Sequence, residues 1–241
     1  VIIRQIASYR PRGQLSCYFY ASRLEEFALG VFAVSISVAA LPTLSEHAAR
    51  GDASALFRTF RRAARATTFV TVPAMAGLWV LAEPIVGTLF RHGQFDATAA
   101  HLTADLVTIL ALALVPIGAV RIMVPTYYAV GDTRTPVVAA TASMITTGLA
   151  GAVLGHRFEI HGLTAATVIA ATVQVVLLGL WLPGKVRAAV GAGAAPRADP
   201  SVLGHAIRAV AAVVPGAVLA GWGARERTWV GGDNLENAIV L

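Results

Sequence analysis

Three charges stand at the head of a long uncharged run. Arg23, Glu25 and Glu26 open the stretch Tyr20–Ser45, YASRLEEFALGVFAVSISVAALPTLS, and no charge follows between Phe27 and Leu41. Arg23 and Glu26 are three residues apart, so a helix sets them on one face where they partly neutralise each other. A buried pair of this kind can hold a guanidinium until an anion takes over the carboxylate's role. The guanidinium fork suits a phosphate or pyrophosphate in particular. The competing reading is an arginine that snorkels to the headgroups, which needs no carboxylate beside it. Glu25 is adjacent to Glu26 and therefore points to a different helix face, so the two do not form a paired acid and base.

A second pair, His101 and Asp105, lies four residues apart near the outer end of another apolar stretch. Ionisable groups at membrane depth suggest a proton relay; the plainer alternative is an interfacial or capping pair. The six histidines are scattered without the H-x-x-x-H spacing of a metal site, and the single Cys17 excludes an intrachain disulfide or a thiolate cluster. Cys17 reads as a small packed side chain. No nucleophile elbow, P-loop or dinucleotide fingerprint occurs, and an intramembrane prenyl-phosphate enzyme would want clustered acids for Mg²⁺. The expectation is therefore no enzyme, no cofactor and no metal.

The elements that position these residues follow from composition. Of the 241 residues 56% are hydrophobic and 13% charged, with mean hydropathy +0.69, far from an ordinary soluble domain. The fold class is all-α, a polytopic transmembrane helical bundle. Six apolar segments approach bilayer length: about 24–44, 66–83, 99–122, 136–155, 161–183 and 205–223. Pro73, Pro116 and Pro215 fall inside three of them and predict kinks. Thr141, Ser143, Thr146, Thr147, Gly148 and Gly151 make the fourth a segment built for close helix contact.

A formal net charge of +6 favours anionic headgroups as partners, and nucleic acid is excluded for want of a stacking platform. Lys and Arg collect in alternate loops, which places Ser45–Arg65 inside. Within it Arg58, Arg61, Arg62 and Arg65 line one helical face and Leu56, Phe57 and Phe60 gather towards another. That pattern predicts an amphipathic helix in the headgroup region, or else a solvated basic linker that fixes topology. The loop Glu83–Asp96 lies outside and predicts a short re-entrant or surface helix. Tyr127–Thr135 lies inside, and GDTRTP reads as a turn and helix start with Thr135 as N-cap and Pro136 first in the helix.

The organisation expected is a partial upstream segment over 1–19, a transmembrane lobe over 20–223 and a polar tail over 224–241, with Gly191–Pro200 as a flexible linker. The chain begins with Val1, and VIIRQIASYRPRG lacks the apolar core of a secretory signal, so the expectation is a piece of a longer protein.

Three strings, YASRLEEFALGVFAVSISVAALPTLS (20–45), TLFRHGQFDATAAHLTADLV (88–107) and YYAVGDTRTPV (127–137), together resemble the MurJ/MviN family of lipid II flippases in the multidrug/oligosaccharidyl-lipid/polysaccharide exporter superfamily. The likeness runs from about Tyr18 to Pro183. It implies one lobe of a MATE-like bundle of roughly fourteen helices, in the bacterial cytoplasmic (inner) membrane. The implied activity is flipping lipid II, the undecaprenyl-diphosphate-linked peptidoglycan precursor, by alternating access for cell wall biosynthesis. Arg23 matches a cavity arginine tied to the precursor's diphosphate and Glu26 its acidic companion, with partner arginines in a missing N-terminal lobe. Ser22 stands where an Asp is common, and Ala28 where Pro or another small residue is. The alternatives are a related polysaccharide-lipid or drug exporter, or a non-transporting membrane scaffold.

Overall fold

A chain crossing hydrocarbon has no water to satisfy its peptide groups, so each must find its partner within a helix. The computed structural model describes residues 13–90 and 95–190, without the side chains of 31–33, and is helical there apart from short turns. In order come α1 (Gln14–Ala49), α2 (Ala53–Phe90), α3 (Ala97–Ala111), α4 (Leu114–Ala129) and α5 (Arg134–Val190). The all-α reading holds. Five of the six apolar segments fall on these helices. The segment 205–223, the linker Gly191–Pro200, the tail 224–241 and most of the upstream segment lie outside the described residues.

α5 is two helices. Straight, its 57 residues would reach about 85 Å. Glu159 instead takes φ 52° and ψ −129°, and the chain folds back so that the Ser143 hydroxyl donates to the Ala170 carbonyl at 3.1 Å. Gly162 makes the fold-back possible, because a Cβ there would run into the Leu154 carbonyl. The halves correspond to the segments expected at 136–155 and 161–183.

The segment expected over 99–122 is not one kinked helix. It is α3 and α4, bent by 47° at Leu112–Ala113. Pro116 explains the break: it has no N–H to offer the Leu112 carbonyl, and its ring crowds that carbonyl. The last turn of α3 tightens instead, with Leu112 N donating to Ile109 O at 3.2 Å and Ala113 N to Leu110 O at 2.8 Å. α1 bends by 42° between its Gln14–Gly30 and Val34–Ala49 parts.

α2 corrects two further expectations. Arg58–Arg65 is neither a separate headgroup helix nor a linker, but the opening turns of a 38-residue helix about 57 Å long. Extending a helix adds one hydrogen bond per residue, whereas starting another needs a new nucleus, so the chain keeps going. Leu56 and Phe60 are buried in one core with Leu44, Tyr127, Leu178, Leu182 and Val186, which leaves little of that face for lipid. Arg58, Arg62 and Arg65 occupy the exposed side. As α2 is nearly twice the roughly 30 Å of a hydrocarbon core, it cannot lie wholly within one and part of it must project. The far end runs through the expected Glu83–Asp96 loop as far as Phe90, while Asp96 accepts Ala99 N at 2.7 Å and caps α3. Phe69, Val80 and Trp79 stay exposed on the middle of α2, as lipid contact requires.

Candidate functional site

α1 carries two faces of opposite character. Cys17, Ala21, Glu25 and Leu29 recur every four residues and are buried against the bundle. Cys17 is the packed side chain expected of it, its thiol 3.7 Å from the Ala99 carbonyl. Tyr20, Arg23, Glu26, Phe27 and Gly30 form the exposed face. Arg23 Nη1 donates to Glu26 Oε2 at 2.7 Å, the contact their spacing predicts. The expectation of a buried pair is corrected, for the side chains are 73% and 61% exposed. The reason is angular: the stripe that packs lies on the other side of the helix from residues 23 and 26. Glu25, left without a role by the sequence, is the carboxylate that is buried.

The opposite ends of the bundle differ in chemistry. At one end the structure pairs His101 Nδ1 with Glu83 Oε1 at 3.3 Å, joining α3 to α2. Asp105 Oδ2 lies 3.7 Å from His161 Nε2, which links α3 to the second half of α5. His101 and Asp105 thus each meet an ionisable partner from another helix. A cavity of about 390 Å³ opens beside them, lined by Glu83, Thr88, Ala100 and His101 among others; Arg23 does not line it. Tyr20, Phe90 and Phe95 stack nearby, with Tyr20 to Phe90 ring centres 4.9 Å apart. Among the described residues no three His, Cys, Asp or Glu side chains converge as a metal site would require.

The other end carries the arginines and a latch. Gly131 adopts φ 77°, a left-handed turn that glycine takes without strain, and Asp132 follows it. Asp132 Oδ1 accepts Arg134 N at 3.1 Å and Thr135 N at 3.0 Å, and its Oδ2 accepts the Thr135 hydroxyl at 2.7 Å. Thr135 is therefore not the cap, and Pro136 is third in the helix rather than first: the carboxylate outcompetes the hydroxyl because it can accept several N–H bonds at once. Lys185 from the far end of α5 meets the same oxygen at 2.9 Å. Burial raises the Asp132 carboxyl, but the Thr135 bonds and the Lys185 ammonium outweigh it and hold it at about 2. An Asp just ahead of a helix start was a readable cap signal. The Lys185 contact, 53 residues on, was not.

With this geometry in hand, the family model for lipid II flippase MurJ matches residues 1–236. The chain belongs to the MurJ family. A probable lipid II flippase MurJ of Bdellovibrio bacteriovorus is 36% identical over 172 residues, covering 71% of the chain and 33% of that protein. The MurJ proteins of Vibrio cholerae and Burkholderia cenocepacia are both 31% identical, covering 74% and 76% of the chain and 34% and 35% of theirs. The chain thus spans about a third of the length of these curated relatives. A solved structure of lipid II flippase MurJ in an inward closed conformation matches at TM-score 0.70 and 23% identity, over 90% of the chain and 49% of that one, which establishes a shared fold. α2 and α5 are long and apolar enough to cross a membrane, and the bent pair α3 and α4 qualifies as a broken span. This is a MurJ-family membrane protein of the bacterial inner membrane.

Proposed function

We propose that the chain is the C-terminal lobe of a lipid II flippase, translocating the undecaprenyl-diphosphate-linked precursor across the cytoplasmic membrane by alternating access. In this reading Arg23 grips the precursor's diphosphate and Glu26 holds the guanidinium ready between cycles. The observation that carries it is the placement of the Arg23–Glu26 pair on the face of α1 that the lobe's own packing leaves uncovered. A phosphate can displace Glu26 there without unpacking the bundle, and a guanidinium gains two parallel hydrogen bonds in the exchange. A first lobe facing α1 would close the chamber and add the remaining cations. Energy coupling through His101 and Asp105 finds less support, because each already has a neighbour that explains it as a clip between helices.

The test is Arg23→Ala in the full-length protein, scored by rescue of a strain depleted of its flippase. Rescue should be lost at normal protein levels, and Arg23→Lys should recover only part of it, since an ammonium cannot make the bidentate contact. Full growth with Arg23→Ala would refute the assignment.

A further inference from the structure

Glu25 has no part in the reading above, yet it is the most unusual side chain in the bundle. It is 9% exposed, and Oε1 is buried with no hydrogen-bond partner among the described residues. Its place on the buried stripe of α1 lies between two apolar clusters. Ala21 shares one with Ala104 and Val107 of α3, and Leu29 shares the next with Leu114 of α4 and with Ala74 and Leu78 of α2. Glu25 faces into the bundle rather than away from it.

Among the described residues, the charged groups of each helix packed there are engaged elsewhere or distant. On α1, Arg23 and Glu26 hold each other at 2.7 Å on the exposed side, and the other titratable side chain nearby, the phenol of Tyr18, is no cation. α2 has no ionisable residue between Ala66 and Ala82, and Glu83 beyond them meets His101. On α3, Asp105 turns to His161 of α5. α4 offers Arg121, exposed and close to the arginine end, and Tyr127, whose hydroxyl donates to the Leu178 carbonyl. Glu159 of α5 accepts from Gln14 at 3.4 Å. A bare carboxylate left there would forfeit the hydration of Oε1 with no described side chain to replace it.

We propose that Glu25 is a proton-binding site, occupied while the outer half of α1 is packed against α2, α3 and α4 as seen here, and emptied when that half swings away. The exchange is a single protonation: water at the histidine end supplies H⁺ to the carboxylate, and the neutral acid is what the apolar clusters accept. Release leaves a carboxylate that must reach water or a cation. The 42° bend between Gly30 and Val34 supplies the hinge one turn beyond, and Arg23, two residues away on the same moving half, travels with it. The inference goes beyond the flippase reading and does not depend on the cargo.

Cys17 reports on the same buried stripe, 4% exposed and two turns from Glu25. The experiment measures the rate at which a maleimide labels Cys17 in the full chain, reconstituted in lipid nanodiscs, from about pH 6 to about pH 9, where buried carboxyls titrate. Wild type and Glu25→Gln share the thiol's own pH dependence. Beyond it, wild type should gain up to about tenfold per pH unit while the packed carboxyl keeps a proton that the opened one has lost, levelling off once the packed carboxyl also ionises, and Glu25→Gln should gain nothing. Identical profiles would overturn the proposal. Should Glu25→Gln not fold, the infrared spectrum of wild type with isotopically labelled glutamate decides: a protonated-carboxyl C=O band at neutral pH that disappears on alkalinisation supports the site, and its absence refutes it.

Discussion

Replacing Asp132 by Ala removes four contacts made by one carboxylate. Two are backbone N–H groups in the first turn of α5, one is the hydroxyl of Thr135, itself only 6% exposed, and one is the ammonium of Lys185. Losing an N-terminal cap costs about 0.5–2 kcal/mol. The ion pair adds at most about 1 kcal/mol, because the Lys185 side chain is 47% exposed and water screens it. The expected loss is therefore about 0.5–3 kcal/mol. Thermal unfolding of the full chain in detergent micelles should read it, with faster amide exchange confined to the start of α5. Asp132→Asn keeps one acceptor oxygen for the two backbone N–H groups, loses the ion pair and obliges the Thr135 hydroxyl to accept from the amide instead of donating, so it should lose less than Asp132→Ala, about 1 kcal/mol. The pH dependence has a definite sign. The folded carboxyl titrates at about 2 against an ordinary 3.8, so its contribution is complete above 3.8 and disappears as pH falls towards 2. If Asp132→Asn were as damaging as Asp132→Ala, charge rather than capping would hold this turn together, and the account given for it would be wrong.

Two further outcomes follow from the same packing. Gly162→Val should prevent the halves of α5 from closing and sharply lower the yield of folded protein on size-exclusion chromatography, since its Cβ would meet the Leu154 carbonyl; Gly148→Ala, with open space around it, should be neutral or slightly stabilising. Tyr127→Phe deletes the buried hydroxyl that donates to the Leu178 carbonyl at 2.6 Å and should cost about 0.5–1.5 kcal/mol in thermal unfolding, with the ring's packing retained; an unchanged midpoint would mean that this bond does not tie α4 to α5.

The residues already determined the class and most of the elements. Uncharged runs of bilayer length leave helix as the backbone that can satisfy itself in hydrocarbon, and the three-residue spacing of Arg23 and Glu26 sets their contact before any packing occurs. Both properties are local, depending on composition and on 3.6 residues per turn. What required the tertiary structure was choice among neighbours. Helical spacing makes Glu25 and Glu26 differ in face but cannot say which of them is buried; the partners α2, α3 and α4 decide that. Pro116 predicted a disturbance, and only the bundle converted it into a 47° break. The basic row Arg58–Arg65 looked like a surface helix because its apolar side had no visible partner, and that partner comes from Leu44, Tyr127 and Leu178, up to 122 residues away in sequence. Asp132 and Lys185, or Asp105 and His161, meet because α5 turns back at Glu159; the break between the segments 136–155 and 161–183 was legible, but which side chains it would bring together was not.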